Sequence, residues 1–155
     1  SEAPHDAAGL VRCPRGEGLA MPETPLLKGR QELHFSKIAR RYFGHDTDVL
    51  VLRNEVDPAN RYGLGAGSPD LLFVVRGWCL FIELKSHSGR VKKHQGQWHQ
   101  GARDKGAHVE TVKLDADTEE GALRAIEGQI RPLIEAIRGR AVAAVEEARR
   151  GGDHG

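Results

Sequence analysis

The chain has 155 residues, of which 39% are hydrophobic, which is enough for one domain with a sizeable core. Disorder throughout and a disulfide-stapled miniprotein are therefore excluded, and the two distant cysteines, Cys13 and Cys79, argue against a zinc knuckle and fit a reducing compartment. The net charge of +1 hides a basic stretch between residues 85 and 105, typical either of a solvated helix face or of a surface that meets phosphate groups.

The sequence predicts neither a membrane span nor a secretion signal. No apolar run approaches the length of a membrane span, and the first residues lack the profile of a secretion signal. We therefore expect a cytoplasmic protein with no membrane partner.

The first half of the chain predicts an arm, a helix and a strand. Residues 1–26 are rich in proline and glycine and predict a mobile arm. Apolar residues at helical spacing predict a helix over 27–43, and β-branched and aliphatic residues predict a strand over 48–56. A glycine-rich loop follows, ending near Ser68.

A β-hairpin is predicted next. Two apolar runs flank Arg76-Gly77, and a two-residue connection that contains glycine is typical of a tight hairpin. Because both faces of this hairpin are apolar, we expect it to lie in the centre of a sheet.

The second half predicts helices around one more strand. Residues 91–105 read as a helix and 108–114 as a strand. A helix is predicted to begin at Asp117 with Glu120 closing a capping box, and a last helix to run from Pro132 to about residue 149. The whole predicts an α/β fold, a mixed sheet flanked by helices, in a single domain over residues 27–150 with a short tail at 151–155.

Two acids on the hairpin carry the main functional prediction. With Arg76-Gly77 as the turn, Asp70 faces Glu83, and Lys85 shares their side of the sheet. Carboxylates about 5 Å apart repel by roughly 3 kcal/mol at an effective dielectric constant near 20.

Three arrangements would relieve this repulsion: a shared proton, a cationic side chain or a divalent metal. We favour a hard cation such as Mg²⁺, with Asp70, Glu83 and the main-chain carbonyl of Leu84 as ligands. Lys85 would then orient the attacking water and help to neutralise the phosphate.

Other polar residues are candidates for contacts with DNA. They lie at the end of the first strand, in the glycine-rich loop and in the basic stretch: Arg53, Asn54, Ser68, Arg90, Lys92 and Lys93. Three histidines, His87, His94 and His99, lack a metal-binding motif and are interpreted as surface or phosphate-facing side chains.

The motifs GSPD with Asp70, IELK with Glu83 and Lys85, and the SGR turn at 88–90 followed by Gln95 occur in this order. In these motifs residues 29–114 resemble the VRR-NUC domain, a branch of the PD-(D/E)xK nuclease superfamily. The resemblance implies a restriction-endonuclease-like core of order αβββαβ, here followed by C-terminal helices.

The resemblance also implies an activity: Mg²⁺- or Mn²⁺-dependent endonuclease cleavage of DNA. Asp70 and Glu83 would be metal ligands and Lys85 the water-activating residue, with Glu32 and Gln95 as supporting site residues and Glu32 as a further candidate ligand. Small members of the family are often phage or bacterial homodimers that act on branched DNA such as four-way junctions in replication, recombination or repair. One departure is Val91-Lys92-Lys93-His94, where the family usually has a helix-capping residue and an acid.

Two alternatives use the same fold. One is a sequence-specific restriction-type nuclease, and the other is a DNA-binding or assembly module that does not cut. The last predicted helix, outside the resemblance, would either cover the sheet or form a dimer seam, and we favour cover.

Overall fold

The computed structural model of the chain describes residues 11–12, 19–20, 22–55 and 64–152. Most of the predicted arm and the first part of the glycine-rich loop lie outside these residues. The elements in chain order are β1 (Val11–Arg12), β2 (Leu19–Ala20), α1 (Gln31–Tyr42), β3 (Val49–Arg53), β4 (Leu71–Val75), β5 (Trp78–Lys85), α2 (Lys93–Asp104), β6 (His108–Lys113), α3 (Glu119–Ala125), a π-helical turn (Ile126–Ile130) and α4 (Arg131–Gly152).

A mixed four-stranded sheet forms the centre of the fold, in the order β3-β4-β5-β6. The pairs β3-β4 and β4-β5 are antiparallel, and β5 and β6 are parallel, joined through α2. With α1 ahead of β3, the core has the order αβββαβ. The α/β fold class is confirmed, and β1 and β2 form a separate two-stranded sheet.

The hairpin of β4 and β5 has the predicted register. Arg76 and Gly77 both have positive φ, 50° and 85°, as a two-residue type I′ turn requires. Val75 therefore pairs with Trp78, and Leu71 with Ile82. Continuing this register brings Asp70 opposite Glu83 at the far end of the hairpin.

One face of the sheet carries the core. Its hairpin side chains are at most 1% exposed and join a buried cluster with α1, α3, the π-helical turn and α4. The hairpin residues of this face are Leu71, Phe73, Val75, Leu80 and Ile82.

The other face of the sheet is only partly covered. Phe81 contacts Trp98 of α2 edge to face, with ring centroids 5.4 Å apart. On β3, Leu50 and Leu52 remain 53% and 39% exposed. The hairpin is central in strand order, as predicted, but burial of both its faces is incomplete.

The helices after β6 differ from the prediction, because α3, the π-helical turn and α4 follow one another without a break from residue 119 to 152. Thr118, rather than Asp117, is the N-cap and accepts the Gly121 N–H at 2.9 Å. The predicted capping box does not form, since Glu120 accepts the Thr24 N–H instead, at 2.8 Å.

Contacts hold the last residues of the predicted arm against the start of α3. The Leu26 N–H donates to the Asp117 carbonyl, and the Glu119 N–H donates to the Thr24 carbonyl. Leu26 itself is only 6% exposed and belongs to the core. Thr24 and Leu26, from the predicted arm, therefore pack against the described fold.

The first half of the C-terminal helix α4 packs on the core and covers the sheet. Ile134, Ile137 and Ala141 are buried, whereas Val142 and Val145 are 45% and 52% exposed.

Among the described residues, no helix is both long and apolar enough to cross a bilayer.

Candidate active site

Asp70 lies directly before β4, in a loop that is fixed by Asn54, the residue that follows the neighbouring strand β3. The Asn54 N–H donates to the Asp70 carbonyl at 2.8 Å. The Asn54 side-chain amide donates to Ser68 Oγ and to the Pro69 carbonyl, each at 2.8 Å. Ser68 in turn donates its hydroxyl to the Gly65 carbonyl at 2.6 Å. These bonds set the backbone from which the Asp70 carboxyl projects.

Glu83, on β5, is 1% exposed and is held by two neighbouring polar groups. Its Oε1 accepts Gln95 Nε2 at 2.7 Å and lies 2.9 Å from Lys85 Nζ. Lys85 Nζ also donates to Gln95 Oε1 at 2.9 Å. The three side chains thus close a triangle of hydrogen bonds, which the spacing of Glu83 and Lys85 on one side of β5 makes possible.

Gln95 has a second task at the start of α2. Its Oε1 also accepts the Lys92 N–H at 2.9 Å, which satisfies one of the free donors of the first helical turn. This explains how the helix begins without the Ser or Thr cap that the resemblance leads one to expect. Gln95 therefore ties the helix end to the acid.

Opposing effects determine the pKa of the Asp70 carboxyl. Burial is the largest, and together with the charge of Glu83 it raises the pKa of Asp70 to about 7. Glu32 adds to the increase, while the Leu84 N–H, which donates to Asp70 Oδ2 at 2.7 Å, and the charge of Lys85 oppose it. Part of the predicted repulsion is therefore relieved by the raised pKa of Asp70 and part by the cation of Lys85 beside Glu83.

His99 is placed differently from the sequence interpretation of a surface histidine. It is 2% exposed, and its Nε2 lies 3.7 Å from Glu83 Oε2. Burial lowers the pKa of His99, and the charge of Glu83 opposes that decrease. A signal was present in the sequence, because a residue four positions after Gln95 lies on the same face of a helix.

A cleft of about 380 Å³ opens beside Lys85. Glu32 of α1 lines it, as do the predicted DNA-binding residues Arg90 and Lys92, both exposed. Asp117 also contributes to the wall. The cleft is thus an accessible surface of mixed polarity that reaches Leu84 and Lys85, whereas Asp70 and Glu83 do not line it.

The remaining predicted DNA-binding residues lie around the site rather than in the cleft. Arg53 pairs with Glu55. Ser68 is only 5% exposed, and its hydroxyl and the Asn54 amide nitrogen are hydrogen-bonded within the protein, so both residues shape the Asp70 loop. Lys93 is exposed at the first position of α2.

The donor set fits a hard divalent cation. Two neighbouring carboxyl groups and a peptide carbonyl beside them supply the kind of oxygen ligands that Mg²⁺ and Mn²⁺ prefer. Within residues 22–55 and 64–152, no three side chains of the His, Cys, Asp or Glu type converge as a complete site. Main-chain oxygen and water would have to complete the coordination, as is usual for Mg²⁺.

Comparison with known proteins gives one match among solved structures. No protein-family profile matches the chain, and no curated protein matches it. A solved structure described as a VRR_NUC domain is 26% identical, with 64% of this chain and 97% of that chain covered and a TM-score of 0.43. The chain is similar to a VRR_NUC domain. This is the family that its motifs resemble.

Proposed function

We propose that the protein is a Mg²⁺- or Mn²⁺-dependent DNA endonuclease. The observation that carries the proposal is that half-buried Asp70 lies close enough to the buried Glu83 to be affected by its charge, while Lys85 and Gln95 hold Glu83 in place beside an accessible cleft. A purely structural hairpin gains nothing from two such acids, since burying carboxylates costs free energy.

Asp70, Glu83 and the Leu84 carbonyl would hold the ion, with Glu32 as a further candidate ligand. A bound divalent ion supplies Lewis-acid polarisation of the phosphate and lowers the pKa of a coordinated water. The reaction would be hydrolysis of a phosphodiester: the water oxygen forms one P–O bond, the P–O bond to the leaving oxygen breaks, and the products are a phosphomonoester and a hydroxyl group.

Lys85 is the group that we assign to the attacking water. An ammonium has three donors, and two of them are used on Glu83 and Gln95. The third is free to orient the water or to bind a phosphate oxygen as negative charge develops on it. Arg90 and Lys92, exposed at the cleft, would bind the flanking phosphates of the DNA.

Substrate shape, assembly and location extend the same proposal. We propose branched DNA, such as a four-way junction, as the substrate, and a homodimer as the active form. Exposed Leu50 and Leu52 on the open sheet face offer apolar area for a second copy. The expected location is the cytoplasm of a bacterial or phage-infected cell, where such DNA is found.

Cleavage assays test the proposal. The substrates are linear duplex, flap, single-stranded and four-way junction DNA, each with Mg²⁺, Mn²⁺ or a chelator. Asp70→Asn keeps an acceptor for the Leu84 N–H and should lower the cleavage rate by about 100-fold or more, as should Lys85→Ala. Both variants should still bind DNA.

Lys37→Ala, at an exposed position of α1, is the matched control and should cut at the wild-type rate. Metal-dependent cutting by Asp70→Asn at the wild-type rate would refute the assignment. DNA binding without cutting by the wild-type protein would favour the non-catalytic module.

A further inference from the structure

Two buried polar atoms face each other next to the proposed metal ligands. Among side chains in the described part of the chain, Glu83 Oε2 and His99 Nε2 are the buried nitrogen and oxygen atoms with no hydrogen-bond partner. They lie 3.7 Å apart, and their side chains are 1% and 3% exposed. An unsatisfied buried polar group destabilises the folded state, so two such atoms that face each other call for an explanation.

The groups around the two atoms hold both side chains in place. The second oxygen of the same carboxylate, Glu83 Oε1, is already engaged by Gln95 and Lys85. The ring of His99 is fixed on α2 one turn after Gln95 and lies edge-on to Trp98, at a centroid distance of 6.4 Å. Of the charged groups near the ring, Arg103 and Lys85 are cations and Glu83 is the anion.

We infer that His99 is a positioning residue that donates Nε2–H to Glu83 Oε2 and fixes the direction of this carboxylate. Closing 3.7 Å to the usual length of about 2.9 Å needs a movement of less than 1 Å. With Gln95 and Lys85 on Oε1 and His99 on Oε2, the carboxylate is held at both oxygens. Each oxygen has two lone pairs, so Oε2 keeps one for a cation.

The consequence for metal binding rests on the proposed function. A side chain that hydrogen-bonds to a metal-ligating residue without contacting the metal typically raises metal affinity, and its removal lowers that affinity by about 10- to 100-fold. Loss of the His99 donor should therefore weaken binding of Mn²⁺ without touching the ion's own ligands.

Calorimetric titration of the full chain with Mn²⁺ tests this. His99→Leu should bind Mn²⁺ at least about 10-fold more weakly than the wild type. His99→Gln, whose amide nitrogen can occupy the Nε2 position, should recover affinity to within about 3-fold. The control His45→Leu, at an exposed histidine, should match the wild type. Equal affinity of wild type and His99→Leu would overturn the inference.

The ring tautomer gives a second readout, which needs no metal. Nitrogen-15 NMR of the metal-free chain should show the proton of His99 on Nε2, and Glu83→Gln should shift that signal. A proton on Nδ1 alone would contradict the inference. If the wild-type chain takes up no Mn²⁺, the proposed function fails, while the tautomer still decides the His99–Glu83 bond.

Discussion

At Asp70, burial and the neighbouring acid Glu83 both raise the pKa of the carboxyl. They raise its pKa from 3.8 to about 7, against the pull of the Leu84 N–H and Lys85. A carboxyl that would be ionised on the surface thus keeps a proton close to neutral pH. The same features make it a strong ligand once a cation replaces that proton.

This pKa predicts how stability depends on pH in a chelator-containing buffer. The folded chain holds the Asp70 proton up to about pH 7 while the unfolded chain releases it near 3.8, so folded stability falls as the pH rises between these values. Asp70→Asn removes this loss of stability. Its melting temperature should therefore rise relative to that of the wild type as the pH increases.

The shift from 3.8 to about 7 corresponds to at most about 4 kcal/mol, and partial exposure reduces this to about 1–2 kcal/mol in favour of Asp70→Asn near pH 8. Thermal unfolding at several pH values measures the difference. A constant difference between the two proteins from pH 5 to 8 would show that Asp70 has an ordinary pKa.

Sequence reasoning reached some of these residues and missed others for physical reasons. The opposition of Asp70 and Glu83 follows from the two-residue turn, because the turn determines the register of the whole hairpin. His99 was misplaced, because burial depends on how α2 packs on the sheet, which helical spacing alone does not show. Asn54 is a predicted DNA contact, and in the fold its amide nitrogen also bonds to the loop before Asp70, which no local signal in the sequence indicates.

At the scale of elements, the helices after β6 show the limit of local signals. Pro132 is predicted in the first turn of a last helix, and α4 does begin at Arg131, but it continues directly from a π-helical turn with no loop between them. The residue that has no N–H thus lies where the hydrogen-bond pattern changes from π to α, so the chain needs no break there. Proline marks such a change without indicating whether a turn or a continuous helix results.

The edges of the sheet are closed by side chains. Arg40 donates to the outward carbonyl of Val51 on β3 at 3.3 Å, and Arg103 donates to Val109 on β6 at 2.7 Å. Gln129 donates to the Lys113 carbonyl at 2.9 Å. Such contacts make further strand pairing at either edge less favourable, so a second copy is expected to dock on a face.

The contact between the Asp70 loop and α2 gives a prediction at Gly67. Its φ is +85°, and a Cβ there would lie 2.6 Å from the His94 carbonyl oxygen. Gly67→Ala should lower the free energy of unfolding by about 1–3 kcal/mol, a decrease in melting temperature of about 3–8 °C.

Gly101→Ala is the control, since nothing lies within 4 Å of a Cβ at this position of α2. It should raise helix stability by up to about 1 kcal/mol. Thermal unfolding of the two variants checks the contrast, and a Gly67→Ala protein as stable as the wild type would disprove the close contact.

At the scale of the molecule, the two faces of the sheet differ in burial and in the residues they carry. One is fully buried against α1, α3 and α4, and the other carries Asp70 and Glu83 beside exposed leucines. The αβββαβ order was predictable because strand and helix periodicities differ clearly along this chain. The unequal covering of the faces was not, because apolar residues occur on both sides of the hairpin and only the packed structure distinguishes them.

Calorimetric titration with Mn²⁺ at about pH 6 and about pH 8 is the most direct test of the claim that Asp70 and Glu83 hold a divalent ion. The wild-type chain should bind Mn²⁺ about 10-fold more tightly or better at the higher pH, because the ion displaces the Asp70 proton, and Asp70→Asn should bind at least about 10-fold more weakly. No heat of binding to the folded wild-type chain, or equal affinity of the two proteins, would contradict the claim.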